Sequence, residues 1–466
     1  MLREMPIRMG QLTGLQTLTR FIIGMEKGRT ITELKDLNNL QGAIRIENLE
    51  NVSNADEAKT ANLKNKPNLC RLELCWKDDL KNKRKLCRLE LCWKGDNLGE
   101  EEVAVAVAVA EGVLECLQPH PNLKELSVEN YPGIEIPSWV RNKSKMLELV
   151  PNLVKIELYQ CEKWEHLPPL GEFPKLKDLR ISGIDATTHM GNGLLYDNDD
   201  DDSMARVAFP SLTYLRIEDM ATLEEWLLFG HLHGRGIRRR QVLSCLEELH
   251  ISDCPTLRCL PPLGELPHLK ELWIEGLDAV VTHMGNELLC LNGSDHHHHD
   301  DGINNASTST VTLVSFPSLI FLHLKNMPNL EEWSLLGFST GDDDDDQQPP
   351  PLEVLLLPQL QTLEISNCPK LKSLPEWIDS LVSLRQLRLF NIPNLRILPH
   401  LQSIKSLWIK NCPQLESKYR KEQGSDWHKI AHIPDVTIER SSSTSENDDS
   451  WDLVYEMMKM MANVNN

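Results

Sequence analysis

Residues 269–274 read LKELWI, with aliphatics at Leu269, Leu272 and Ile274. In the spacing L-x-x-L-x-L the last two aliphatics alternate with an outward residue, so they share one face of a short strand. One copy decides little. The spacing returns at Leu123/Leu126/Val128, Leu153/Ile156/Leu158, Leu176/Leu179/Ile181, Leu212/Leu215/Ile217 and Leu246/Leu249/Ile251. It returns again at Leu319/Leu322/Leu324, Leu360/Leu363/Ile365, Leu384/Leu387/Leu389 and Ile404/Leu407/Ile409. Units of this kind cannot bury their own aliphatics; stacked neighbours bury them for one another.

The extended pattern, L-x-x-L-x-L-x-x-C, places Cys161, Cys254, Cys368 and Cys412 just past the strands. They are expected inside the turn as structural residues, not as metal ligands or nucleophiles. The pattern is the signature of leucine-rich repeats. It predicts an α/β solenoid, a horseshoe with a curved parallel sheet on its concave face, running from about residue 44 to 410. A longer repeat overlies the short one: CEKWEHLPPLGEFPKLKDLRISGIDA at 161–186 matches CPTLRCLPPLGELPHLKELWIEGLDA at 254–279, and FPSLTYLRIEDMATLEEW at 209–226 matches FPSLIFLHLKNMPNLEEW at 316–333. The Pro and Gly of LPPLGE forbid a long helix, so the convex side should be mostly irregular or 3-10. Trp226 and Trp333, in register in LEEW, are expected to pack there.

Repeat spacing breaks where polar runs intervene, near 194–206, 291–312 and 339–351; these are expected to loop out of the solenoid. The stretch LCRLELCWK occurs at 69–77 and again at 86–94, and VAVAVAVA at 103–110 precedes Leu123; both read as insertions in tolerant loops, the second leaving a short amphipathic helix before Leu123. The solenoid is assigned to 1–440 and a disordered tail, with a possible short helix, to 441–466. Net charge is −20, of which 13 charges come from Asp197, Asp199 to Asp202, Asp295, Asp300, Asp301 and Asp342 to Asp346. This balance argues against nucleic acid or an anionic membrane as partner.

There is no run near the ~18 apolar residues of a membrane span. The start MLREMPIRMG has no signal-peptide core, so the 12 cysteines are expected as free thiols in a reducing, cytoplasmic setting. No catalytic, cofactor or metal constellation emerges. His296 to His299 read as a loop tract, and Arg235, Arg238, Arg239 and Arg240 as a solvated basic loop.

Five stretches carry a family resemblance: MPIRMGQLTGLQTLTRFIIG at 5–24, IRIENLENVSNADEAKTANLKNKPNL at 44–69, ECLQPHPNLKELSVENYPGIEIPSW at 115–139, LPPLGELPHLKELWIEG at 260–276, and CPQLESKYRKEQGSDWHKIAHIPDVTI at 412–438. They resemble the repeat region of plant coiled-coil, nucleotide-binding, leucine-rich-repeat disease-resistance proteins. The resemblance implies a recognition module for a pathogen effector or a guarded host protein, docking against a nucleotide-binding (NB-ARC) domain in a longer parent. No G-x-x-x-x-G-K-[ST] is present, so ATP or ADP would bind only in such a parent and the chain is expected not to be an enzyme. A substrate-recognition subunit of a ubiquitin ligase is the alternative; it wants an F-box-like helical segment.

Partner binding is expected on the central exposed column of the strands. There the candidates are Arg180, Arg216, His250, Trp273, His323, Arg388 and Trp408, because Trp and Arg dominate protein hot spots. Ser127, Glu157 and Glu364 occupy the same column. Its C-terminal half, around Trp273, His323, Arg388 and Trp408, offers the strongest anchors.

Overall fold

The computed structural model describes residues 4–76, 100–191, 208–226, 242–258, 260–261, 263–279, 312–333 and 353–439. The second LCRLELCWK copy, the basic cluster, the His tract, the acidic runs and the tail beyond 440 lie outside them.

Fourteen strands among the described residues form one parallel sheet in chain order. They are Arg20–Ile22, Gln41–Glu47, Asn68–Cys75, Glu125–Glu129, Lys155–Tyr159, Asp178–Ser182, Tyr214–Glu218, Glu248–Ser252, Glu271–Glu275, Phe321–Lys325, Thr362–Ser366, Gln386–Phe390, Ser406–Lys410 and Asp435–Glu439. The architecture is the leucine-rich-repeat solenoid. The aliphatics of the motif stand in register across it: Leu249, Leu272, Leu322 and Leu363 form one row, and Ile251, Ile274, Leu324 and Ile365 the next. All eight are buried.

The sheet outruns the expected limits of 44 and 410 at both ends. Arg20–Ile22 pairs with residues 45–47, and Asp435–Glu439 with residues 406–410. Both turn apolar residues to the core, Phe21 fully buried in one and Val436 and Ile438 partly buried in the other, but lack the full leucine spacing.

Almost every strand is followed by a residue in the left-handed region: Asn48, Asn130, Gln160, Gly183, Asp219, Asp253, Gly276, Asn326, Asn367, Asn391 and Asn411 all have φ between 52° and 66°. Asn, Asp and Gly tolerate this conformation best. The turn lets the N–H of the left-handed residue bond to the next strand, as Asn367 does with the Phe390 carbonyl at 3.0 Å. Side chains of these residues bond along the stack. Asn411 donates to Asn391, Asn391 to Asn367 (both 2.7 Å), Asn367 to Asn326 (2.8 Å), and Asn326 to the Glu275 carboxylate (2.8 Å). One residue further on, the four cysteines are buried as expected. Each Sγ lies near backbone carbonyls, for example Cys254 Sγ to the Ser252 oxygen at 3.3 Å. Burial pushes the thiols of Cys161, Cys254 and Cys368 up to about 12 and that of Cys412 to about 11.

On the convex side LPPLGE forms short 3-10 turns at Leu170–Glu172 and Leu263–Glu265. Trp226 and Trp333 are buried there, Trp333 edge-on to Trp377 at 5.0 Å. A helix before Leu123 is present, but the reading of VAVAVAVA as a loop insertion is corrected: it lies within that α-helix, Glu100–Cys116. Alternating Ala and Val imitate a strand pattern, but alanine is the strongest helix former. The buried residues Ala110, Val113, Leu114 and Leu117 fall at the spacing of one helical face. Glu115 on this helix accepts from the Ser138 N–H at 2.6 Å, and the Leu114 carbonyl from Trp139 Nε1 at 3.2 Å. The helix therefore fixes the loop leading into Ser138–Arg141.

Candidate functional site

Because the strands are parallel and in register, every concave position becomes a column running across the sheet. The central one reads Arg20, Arg45, Glu73, Ser127, Glu157, Arg180, Arg216, His250, Trp273, His323, Glu364, Arg388, Trp408 and Thr437. The seven candidate residues thus do stand in one line. They are not equally accessible. Arg180, Arg216, His250, Trp273, Arg388 and Trp408 are half-buried, but His323 is only 2% exposed. His323 is corrected from a contact residue to part of the floor. Parallel strands lie ~4.8 Å apart, close enough for ring to lie on ring, and Trp273 and Phe321 close over it.

The rings form a continuous row. Arg180 lies over Tyr214 at 4.8 Å, Tyr214 is 5.3 Å from His250, and His250 is stacked on Trp273 at 5.3 Å. Trp273 in turn meets Phe321 at 4.8 Å and His323 at 4.6 Å. Further on, Glu364 lies 3.5 Å from His323 and 3.2 Å from Arg388, whose guanidinium faces Trp408 at 5.7 Å. Tyr214 and Phe321 come from the leading column, which sequence reasoning left out; the signal was the aromatic two residues before Arg216 and His323.

The N-terminal half of the face is a lattice of charges, also missed from the sequence. Arg45 holds Glu129 at 2.6 Å and Glu73 at 2.8 Å, Arg71 reaches Glu73 (2.7 Å), Glu125 (3.0 Å) and Glu157 (3.3 Å), and Lys155 holds Glu157 at 2.9 Å. Arg180 then pairs with Asp178 at 3.0 Å. The Glu129 hydrogen bonds lift the Arg45 guanidinium further above its ordinary value. The repeated signal was a charge two residues from a charge, as in Arg45-x-Glu47, Arg71-x-Glu73 and Lys155-x-Glu157. At the strand ends further along, burial and mutual repulsion raise three carboxyls: Glu162 and Asp185, beside one another and Asp219, and Asp253, beside Glu218 and Asp219.

The two duplicated blocks allow an internal comparison. Between Asp178–Ser182 and Glu271–Glu275 the inward pair Leu/Ile is unchanged, while Asp178, Arg180 and Ser182 become Glu271, Trp273 and Glu275. Between Tyr214–Glu218 and Phe321–Lys325 the concave Tyr214, Arg216 and Glu218 become Phe321, His323 and Lys325. All six concave positions differ, one with reversed charge. LPPLGE, the left-handed glycines Gly183 and Gly276 and the buried Cys161 and Cys254 are retained. The scaffold was copied and kept; the face was changed.

Known proteins agree with this architecture. A family model described as R13L1/DRL21 LRRs matches residues 31–81 and 77–184. The chain is 32% identical over 462 residues to putative disease resistance protein RGA4 of Solanum bulbocastanum, covering 94% of this chain and 38% of that protein. It is 32% identical to putative disease resistance protein RGA1 of the same species, covering 71% of this chain and 28% of the relative. It is 27% identical to putative disease resistance RPP13-like protein 1 of Arabidopsis thaliana, covering 87% and 32%. The chain thus spans less than two fifths of the length of these curated relatives. Among solved structures it is similar to the leucine-rich repeat domain of the type III effector XCV3220 (XopL), at 16% identity and TM-score 0.31, covering 63% of this chain and 66% of that one. It is also similar to the Leptospira interrogans LRR protein LIC12759, at 16% identity and TM-score 0.33, covering 95% and 93%. Among the described residues no helix is long and apolar enough to cross a membrane.

Proposed function

This chain carries the leucine-rich repeats of plant disease-resistance proteins, and from that premise we propose that its concave face is the protein-recognition surface of an immune receptor. The observation that carries the reading is the internal duplication. Buried positions of the solenoid are identical between copies or exchanged only among apolar residues (Trp164/Leu257, Phe173/Leu266, Ile184/Leu277, Ile217/Leu324), whereas all six concave ones differ, four of them in chemical character. A surface under structural demand alone would keep its stacking partners. A surface selected for what it touches diversifies while its support stays fixed. The partner class that the relatives' names suggest is a pathogen effector or a host protein it modifies. In a longer parent the repeats would also dock on a nucleotide-binding domain, which would hold the ATP or ADP.

The face is suited to this role physically. Strand-borne side chains are held by the sheet, so little further conformational entropy is lost on binding. The test is proximity labelling in plant tissue with the full chain and two multiple variants. One replaces Arg180, Arg216, Trp273, Arg388 and Trp408 by alanine; the other replaces Glu224, Arg258 and Lys372, which lie past the strands towards the convex side, by alanine. The reading expects a set of labelled proteins that the concave variant loses and the convex variant keeps. Loss in the convex variant alone would overturn it.

A further inference from the structure

The concave face is not uniform, and its middle differs from both ends in charge. On the six strands from Arg20–Ile22 to Asp178–Ser182 the concave columns carry six carboxylates (Glu47, Glu73, Glu125, Glu129, Glu157, Asp178) and five cations (Arg20, Arg45, Arg71, Lys155, Arg180), all joined in ion pairs. The strand-end residues of this half are Asn, Gln and Gly. On the next four strands, with their strand-end residues, six carboxylates, Glu218, Asp219, Glu248, Asp253, Glu271 and Glu275, share two cations, Arg216 paired with Glu218 at 2.8 Å and Lys325 with Glu275 at 3.2 Å, while His250 lies 2.8 Å from Glu248. Glu248 lies directly beside Glu271 in the ladder, and Glu218 shares a column with Glu275, one strand between them. From Thr362–Ser366 to Asp435–Glu439 the charges return to near balance, with Glu364, Asp435 and Glu439 against Arg388 and Lys410. The acidic excess therefore coincides with the row Tyr214–His250–Trp273–Phe321, in which ring lies against ring, Tyr214, His250 and Trp273 half-buried and Phe321 buried.

We propose that this strip takes a basic segment of a protein partner, with arginine or lysine stems along the ring edges and their charged heads among Glu248, Glu271 and Glu275. The inference rests on the reading of the concave face as a recognition surface and names its partner's chemistry. Long basic side chains are built for such a site, since their stems cover apolar surface while the heads reach carboxylates. The carboxyl of Asp253, raised by burial and by Glu218 and Asp219, fits the same picture, because a bound cation would relieve that repulsion. Four strands span about 15 Å, room for roughly ten residues of helix laid across them. Nucleic acid and anionic lipid are disfavoured by the same charges.

The probe is a short fluorescein-labelled peptide with arginine at every third position, and its counterpart with glutamate at those positions. Anisotropy is read on the full chain, with folding of each variant checked by circular dichroism. Because Asp342 to Asp346 could hold a basic peptide by charge alone, a variant with these five replaced by asparagine is included. The proposal expects the arginine peptide to bind about tenfold or more tightly than the glutamate one. Trp273→Ala should weaken it, as should Glu271→Lys, which keeps the ring row intact if the first variant fails to fold. The asparagine variant should bind unchanged. Equal binding of both peptides overturns the proposal, and so does loss confined to the asparagine variant. If a labelled partner depends on the concave face yet engages it through an acidic or uncharged segment, the basic-segment proposal falls while the recognition surface stands. If no partner depends on that face, the recognition surface itself falls.

Discussion

His250 lies parallel to Trp273, with ring centroids 5.3 Å apart and planes inclined by 8°. The pair is a direct product of strand register, since the two residues are ladder partners. It makes Trp273 part of the face's own packing as well as a proposed contact residue. Aromatic pairs contribute ~1 kcal/mol beyond area burial. Trp273→Ala is therefore expected to lower stability by about 2 kcal/mol in denaturant unfolding, and Trp273→Phe by about 1 kcal/mol. A Trp273→Ala chain as stable as the parent would show that the stack contributes nothing.

Leu272 is fully buried and shared with Leu249 and Leu322 on either side. An aspartate there strands a carboxylate in the core at a cost of several kcal/mol. Leu272→Asp should open several neighbouring repeats, seen as fast amide exchange over the strands from Tyr214–Glu218 to Phe321–Lys325. Removing Asp342 to Asp346 should leave exchange there unchanged. Similar melting temperatures for the two variants would contradict this.

Lys66 is fully buried, and its Nζ donates to the Leu34 carbonyl at 2.7 Å and the Leu37 carbonyl at 3.2 Å. Burial lowers its pKa to about 8, partly offset by Asp36. The unfolded chain holds this proton up to about 10.4, so between these values it binds more protons than the folded one. The Lys66 contribution to stability should therefore rise with pH from about 8 to 10.4, by roughly 3 kcal/mol. The difference between parent and Lys66→Met, measured by urea unfolding across that window, isolates it. A flat difference would refute the assignment.

The buried thiols act with the opposite sign. Cys161, Cys254 and Cys368 are raised to about 12 by burial, so their contribution is full below the ordinary thiol pKa near 9 and is lost as pH rises through about 12. Among the described cysteines, Cys70, Cys116 and Cys245 are partly exposed and should react with Ellman's reagent at pH 8. Cys161, Cys254, Cys368 and Cys412 should react only after denaturant is added. Rapid reaction of these four in the native chain would place them outside the turn.

Arg45 bridges Glu73 and Glu129. Arg45→Ala leaves these carboxylates clustered, and is expected to cost about 1–2 kcal/mol at low ionic strength and visibly less in high salt, where the repulsion is screened. A cost independent of salt would point to lost packing instead.

The aliphatic ladder was legible because burial leaves only one solution: Leu272 and Ile274 must face inward, and stacking then sets the register of every neighbour. What could not be read was how concave side chains meet one another. His323 looks exposed when its strand is considered singly; only the adjoining Trp273 and Phe321 close it in. The charge lattice around Arg45 and Arg71 likewise joins residues up to 86 positions apart. The left-handed turns escaped an aliphatic search because Asn, Asp, Gln and Gly share a backbone tolerance and no side-chain type. VAVAVAVA misled because period-two alternation was carried by alanine, a residue that favours helix.

Gly183 has no side chain, and that gap is filled: a Cβ there would meet the Gln160 amide at 2.1 Å. Through the gap Gln160 Nε2 reaches Asp219 at 3.1 Å, passing over the strand between them. A stack whose units touch only their neighbours can unravel one unit at a time from any weak point. This strap joins units two apart, so the strands from Lys155–Tyr159 to Tyr214–Glu218 should come undone together, as one cooperative block beside the strip they adjoin.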